Sequence, residues 1–264
     1  MRKGALGTGP SIALLAICAA IRAFGMPGNE DSPVDLILQK TGELVGRFWD
    51  EVPSYDCTES VSQEKIGKNG KIEFQQDSVF DYLAITKRED GDLTMDEVRL
   101  PLGVKPGKPH KPSLLSTNGF PTLLLVFHPL HQPNYHFWME TASATDGAVK
   151  VRFEHIPGTR STSALMIQER IYPLDLQGTA SIDPGTGAIR GISASLMAPM
   201  REINVEKFKV EVTYRLQSFP SDSSRWLPSR SLIEIQTALQ HWRNIHYYSQ
   251  YKRFSVQSVE RTAK

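Results

Sequence analysis

The spacing of apolar positions changes near Pro53, and the change divides the chain into one helix followed by strands. Before it, Ile37, Leu44, Val45, Phe48 and Trp49 recur at three- and four-residue intervals, which predicts a helix with one strongly apolar face from Pro33 to about Val52. Ser32 offers a hydroxyl to cap free backbone N–H groups, Pro33 suits the first helical position, where its missing donor costs nothing, and Pro53 blocks continuation.

From Tyr55 onward apolar and polar residues alternate in short segments, separated by turn signals at Asn69-Gly70, Asp90-Gly91 and Asp146-Gly147. Gly178 to Leu196 reads as strand, tight turn, strand. Pro184 presets φ there, Gly185 and Gly187 are expected to take positive φ, and Ile182, Ile189 and Ile192 give the flanks something to bury. In Lys207 to Gln217, Phe208, Val210, Val212, Tyr214 and Leu216 face one way, with Lys209, Glu211, Thr213, Arg215 and Gln217 opposite, so one face is wet. Trp226 to Leu239 and Ile245 to Glu260 repeat the strand pattern, with a turn expected near His241 to Asn244. Pro101 to Pro121, rich in Pro, Gly and Lys, reads as a long loop, and Phe120 to Phe127 as a second short apolar helix.

About eight to ten such strands, at about 4.8 Å spacing, make a sheet roughly 40 Å wide, whereas a helix covers about 10 Å. Two helices cannot cover that sheet flat. Its apolar face must curl around them, meet a second sheet, or stay partly open to something hydrophobic. A self-filled sandwich has no need of a helix with an apolar face running from Leu36 to Trp49, so the expected fold is mainly β with α, a curved antiparallel half-barrel wrapped around one or two helices.

The start of the chain adds a compartment. Arg2 and Lys3, the apolar run Ile12 to Ile21, and small residues at Ala23 and Gly25 form the pattern of a secretory signal peptide over residues 1–25. That leaves residues 26–264 as one expected domain without a transmembrane segment, periplasmic or secreted. Cys18 sits inside the apolar run after Ile17, a poor setting for lipid attachment, so simple cleavage is expected. Cys57 is then the sole cysteine, with no intramolecular disulfide and, by strand alternation, a packing position beside Tyr55, Glu59 and Val61. A formal charge of +1 gives no long-range reason to seek nucleic acid. The closing aromatic and basic residues, Trp242, Arg243, His246, Tyr247, Tyr248, Tyr251, Lys252, Arg253 and Phe254, are explained as well by cross-strand pairs as by base stacking.

Reactive signatures are sparse. No Gly-x-Ser-x-Gly elbow, His-Glu-x-x-His, phosphate-binding glycine loop or Cys-x-x-Cys occurs. His128, His131 and His136 form the one histidine cluster, and imidazoles so spaced can meet at a metal. Pro129 and Pro133 deny them a common helix face and no acid or cysteine completes the set, so neither a metal nor another cofactor is expected.

The leader, the first helix, the strand start Ser54-Tyr55-Asp56-Cys57-Thr58-Glu59, the hairpin Ile182-Asp183-Pro184-Gly185-Thr186-Gly187 and the segment Trp226-Leu227-Pro228-Ser229-Arg230 together carry a family likeness. With the closing Tyr248-Ser249-Gln250-Tyr251-Lys252-Arg253-Phe254, they resemble uncharacterised secreted bacterial proteins similar to the LolA and LppX type of periplasmic lipoprotein and lipid carriers. The resemblance implies an unclosed antiparallel barrel plugged by helices, with lipid or lipoprotein acyl chains as ligands. The expectation is thus a non-enzymatic carrier holding a hydrophobic molecule against Phe48, Trp49, Phe208, Val210, Val212, Tyr214, Ile233 and Ile235. An envelope scaffold or adaptor that binds another protein is the second reading, and a hydrolase whose triad assembles only in space is the third.

Overall fold

The computed structural model describes residues 32–89, 91–103, 122–140, 147–167, 169–220 and 222–254. The expected leader with Cys18, and residues 104–121 of the long loop, lie outside them. Helix α1 runs Pro33–Glu51 and begins with a full capping box, in which the Ser32 hydroxyl accepts from the Asp35 amide and the Asp35 carboxylate accepts from the Ser32 amide. Ile37, Leu38, Thr41, Gly42, Val45 and Trp49 form its buried stripe, while Leu36, expected on that face, is half exposed.

Twelve strands follow: β1 Tyr55–Ile66, β2 Ile72–Glu89, β3 Asp92–Pro101, β4 Tyr135–Met139, β5 Val149–His155, β6 Ala164–Ile167, β7 Arg170–Pro173, β8 Leu176–Ile182, β9 Ile189–Leu196, β10 Val205–Phe219, β11 Asp222–Thr237 and β12 His241–Arg253. Ten of them form one antiparallel sheet in the order β3-β2-β1-β12-β11-β10-β9-β8-β5-β4, and β6 and β7 form a separate ribbon. The sheet is unclosed, since β3 and β4 end it.

It is also strongly curled. Laid flat, its outer strands would stand roughly 40 Å apart. Instead the 3₁₀ segment Thr122–Phe127 reaches both: Leu125 packs with Trp49 and Leu93 of β3, and Phe127, two residues on, packs against Phe137 of β4 and Phe153 of β5 at ring-centroid distances of 5.4 and 5.8 Å. A 3₁₀ segment rises only about 2 Å per residue. Asp92, at the start of β3, ion-pairs with Arg160 in the loop after β5. The two edges therefore approach each other around α1 and the 122–127 segment, the half-barrel expected from sheet width.

The main core joins Ile37, Leu38 and Val45 of α1 to Val151, Phe153, Ala180, Ile182, Ile192 and Val212 of the sheet. The expected second helix is the short 3₁₀ turn, with Leu123 through Phe127 buried.

Local expectations fail where tertiary pairing overrides turn chemistry. The β11–β12 connection is at Ala238–Gln240, where the Thr237 hydroxyl accepts from the amides of Leu239 and Gln240, and His241 to Asn244 lie in β12 against Lys65, Glu64 and Gln63. In the β8–β9 turn Gly187 takes φ +77°, whereas Gly185 stays out of the left-handed region and donates its amide to the Asp183 carboxylate. Leu216 shares the parity of Val212 and Tyr214 but is more than half exposed near the hairpin end of β10.

Candidate functional site

Helix α1 is fixed to the sheet at two places. Near its middle, the β8–β9 turn runs directly beneath Lys40 and Thr41, and Lys40 Nζ donates to Pro184 O at 3.4 Å. At its end, Arg225 Nε donates to Glu51 Oε2 at 2.8 Å. Between these attachments the helix and sheet do not close on each other, and a cleft of about 450 Å³ remains. Leu44, Val45 and Phe48 of α1 face Ala188, Ile189, Trp226 and Leu227 across it, and Leu124 adds a further apolar surface.

The cleft's polar residues are Arg47, Glu51, Tyr55, Tyr214, Ser224 and Arg225. Glu51 and Arg225 neutralise each other at the rim. Arg47, exposed at the same rim, has no ion-pair partner among the described residues. The Tyr214 side chain also borders the cleft; it is 4 % exposed, and its hydroxyl, shielded from water, has no hydrogen-bond partner among the described residues. Burial alone pushes its pKa up.

Of the residues expected to hold a ligand, Phe48 and Tyr214 line this cleft. Trp49 points elsewhere, into the Leu93–Leu125 cluster, because one step along the helix turns the side chain by about 100°. Val212 is fully packed in the main core, and Phe208 and Val210 lie against that core beyond the cleft. Ile233 and Ile235 pair across the sheet with Val210 and Phe208, so they share that inner face, half buried, without reaching the cleft. Alternation places these residues on the inner face of the sheet but does not fix their position along it. Leu44, Ile189, Trp226 and Leu227 have the same apolar character and were not distinguished.

A second constellation occupies the inner face of β1, β3 and β12. Glu59, 0 % exposed, receives Arg99 Nε at 2.5 Å and Nη2 at 3.0 Å, and His246 Nδ1 lies 2.8 Å from its other side. Arg99 Nη1 also reaches Glu97 at 2.7 Å, and the Tyr82 hydroxyl donates to Glu97 at 2.8 Å. Burial opposes ionisation of Glu59, but the hydrogen bonds from His246 and Arg99 outweigh it and hold the carboxyl below its usual range. Both Glu59 oxygens are engaged. Its trace in the sequence was an acid at an inward position of the alternating β1 strand, whose partner lies forty residues away.

Beside it, Cys57 is buried, and desolvation pushes its thiol up to about 12 despite a hydrogen bond with Tyr251. That is a packing cysteine. The aromatic and basic residues of β12 are used across strands: the Tyr248 ring packs against Tyr82 of β2 at a centroid distance of 5.7 Å, and the Arg253 guanidinium lies 5.7 Å from the Tyr55 ring centroid.

The histidine cluster divides. His128 and His131 are buried with ring centroids 6.1 Å apart, while His136 is exposed on β4 opposite Glu154. Among the described residues no group of three or more metal-ligating side chains comes together. Burial lowers both buried imidazoles below their ordinary value of 6.5, and His131 and Arg88 push His128 further down against the opposing Asp50. The unfolded chain therefore binds more protons below that pH, and stability should fall as pH drops from 6.5 through the lowered folded values. Urea titrations at pH 7.5 and about 5 should show this loss, and His131→Leu should shrink it. An unchanged loss in that variant would place the pH sensitivity elsewhere.

No helix among the described residues is long and apolar enough to cross a membrane. No family model matches the chain, and no curated protein matches it in sequence. A solved DUF1329 family protein from Desulfovibrio piger is similar over 84 % of this chain and 95 % of that one, at 9 % identity and a TM-score of 0.41.

Proposed function

We propose that this chain is a non-enzymatic binding or carrier protein for a hydrophobic ligand, a lipid or an acyl chain, acting in the periplasm or outside the cell. The observation that carries the reading is the cleft: about 450 Å³, with Leu44, Val45 and Phe48 on the helix side and Ala188, Ile189, Trp226 and Leu227 on the sheet side, and within the roughly 300–1,000 Å³ range of ligand sites. The half-barrel architecture and the resemblance to lipoprotein and lipid carriers support the same reading, and the signal-like start supports the compartment. The cleft's one acid, Glu51, is paired with Arg225.

Native mass spectrometry of protein purified from its own host should show a co-purified lipid, lost when Ala188→Trp fills the cleft. Absence of any bound lipid, together with failure to take up a fluorescent lipid probe, would remove the proposal. One observation favours the scaffold reading: Met166 and Ile171, directly paired across the β6–β7 ribbon, are 74 % and 70 % exposed and together form an outward apolar patch.

A further inference from the structure

On the binding reading given above, the charges at the mouth of the cleft say which class of hydrophobic molecule it takes. Three charged side chains line it, Arg47, Glu51 and Arg225, so two cations stand against one acid. Helix geometry offers Arg47 two acids at the four-residue spacing that lets side chains meet, Glu43 and Glu51. Arg47 pairs with neither among the described residues. Glu51 turns instead to Arg225, whose Nε donates to Glu51 Oε2 at 2.8 Å, and the helix is held to the sheet by that pair. An exposed guanidinium beside the cleft is left to meet an anion from solution.

The remaining walls decide where such an anion can sit. Leu44, Phe48, Ile189 and Trp226 offer it no cation, and a charge carried in among them would lose its water without gaining a partner. At the mouth, Arg47 presents a planar fork of donors that matches two oxygens of a carboxylate or phosphate. A cationic head would find only Glu51, which Arg225 already holds. Size constrains the rest: at about 30 Å³ per heavy atom, the share of a water in the liquid, 450 Å³ takes on the order of fifteen heavy atoms. One alkyl chain of about a dozen carbons fits that space, and two full acyl chains do not.

We propose that the cleft takes a single-chain anionic amphiphile, a carboxylate or phosphate monoester on one alkyl chain. Its head lies on Arg47 at the mouth, and its chain runs inward against Phe48, Ile189 and Trp226.

The test compares dodecanoate, dodecyl phosphate, dodecanol and dodecyltrimethylammonium, below their micellar concentrations, as displacers of N-phenylnaphthylamine from wild type and Arg47→Gln. At about pH 8 both acids are ionised. Arg47 is exposed, so the variant removes a charge without opening the core, and thermal melting checks that it folds. Both anions should bind wild type more tightly than dodecanol, and the tighter of the two names the head. Arg47→Gln should cost each anion about fivefold, the order of one exposed ion pair, while dodecanol, with no charge to lose, keeps its affinity. Dodecanol binding wild type as tightly as the anions would overturn the proposal and leave a cleft that reads only the chain. Equal losses of anion and alcohol in Arg47→Gln, or tightest binding of the ammonium compound, would overturn it too. If the probe does not bind wild type, or none of the four displaces it, the binding reading itself fails.

Discussion

Glu59→Leu is expected to lower stability by about 3–5 kcal/mol, the range for removing one partner of a buried ion pair. The loss is large because the partners remain. Arg99 would lose the carboxylate that receives both its Nε and Nη2, and the His246 ring nitrogen now 2.8 Å from Glu59 would be left in a site with almost no access to water. Removing both charges is a different experiment. A buried pair replaced by apolar side chains of similar size is often close to neutral, so Glu59→Leu combined with Arg99→Met should recover part of the loss. Glu97 and Tyr82 set a limit on that recovery, because Glu97 loses its cation in the double variant. The acid dependence has a definite sign. The Glu59 carboxyl is held below its ordinary 4.5, so its contribution is full above that pH and is lost as pH falls through the lowered folded value. Urea midpoints for the three proteins at neutral pH check the energetic claim, and a single-variant loss below about 1 kcal/mol, the level of an exposed pair, would contradict it.

This network shows where sequence reading stopped. Helix α1 was legible because its signals are local: Ser32 and Asp35 cap it within one turn, and Val52-Pro53 ends it. The strands were legible from alternation, and β1 keeps it from Tyr55 to Gln63. Counting strands against helices even gave the curl. What alternation cannot provide is register, and register is what brings Glu59 to Arg99, through β1 paired with β2 and β2 paired with β3. The same limit applies to the cleft. Phe208 and Tyr214 have identical parity in β10, yet only Tyr214 lies level with the gap between the helix attachments. Those attachments join residues far apart in sequence, Lys40 to Pro184 and Glu51 to Arg225, and no local pattern announces either. Trp49 packs with Leu93 and Leu125 rather than at the cleft for a related reason: a broad apolar helix face does not say which neighbour each part meets.

Gly187→Ala is expected to destabilise by on the order of 3 kcal/mol, from two costs that can be separated. The first is conformational. Gly187 has φ +77°, a left-handed backbone that costs an L side chain about 1–2 kcal/mol. The second is steric. A Cβ there would stand 2.8 Å from the Lys40 carbonyl carbon and the Thr41 amide nitrogen, backbone atoms of α1 that cannot rotate aside, and such overpacking typically costs about 1–3 kcal/mol. Gly70 supplies the control. It has the same φ of +77° in the β1–β2 turn but nothing within 4 Å of its would-be Cβ, so Gly70→Ala should show only the first cost. The difference between the two midpoints in urea measures the contact between the hairpin turn and the helix. Equal losses would mean that α1 yields at no cost and is not seated on the turn. The consequence for binding follows from position, because Ala188 and Ile189 directly after Gly187 form one wall of the cleft and α1 forms the other. Lifting the helix off the turn moves those walls apart. Gly187→Ala should therefore also weaken uptake of a fluorescent lipid probe, whereas Gly70→Ala, outside the cleft lining, should leave uptake unchanged.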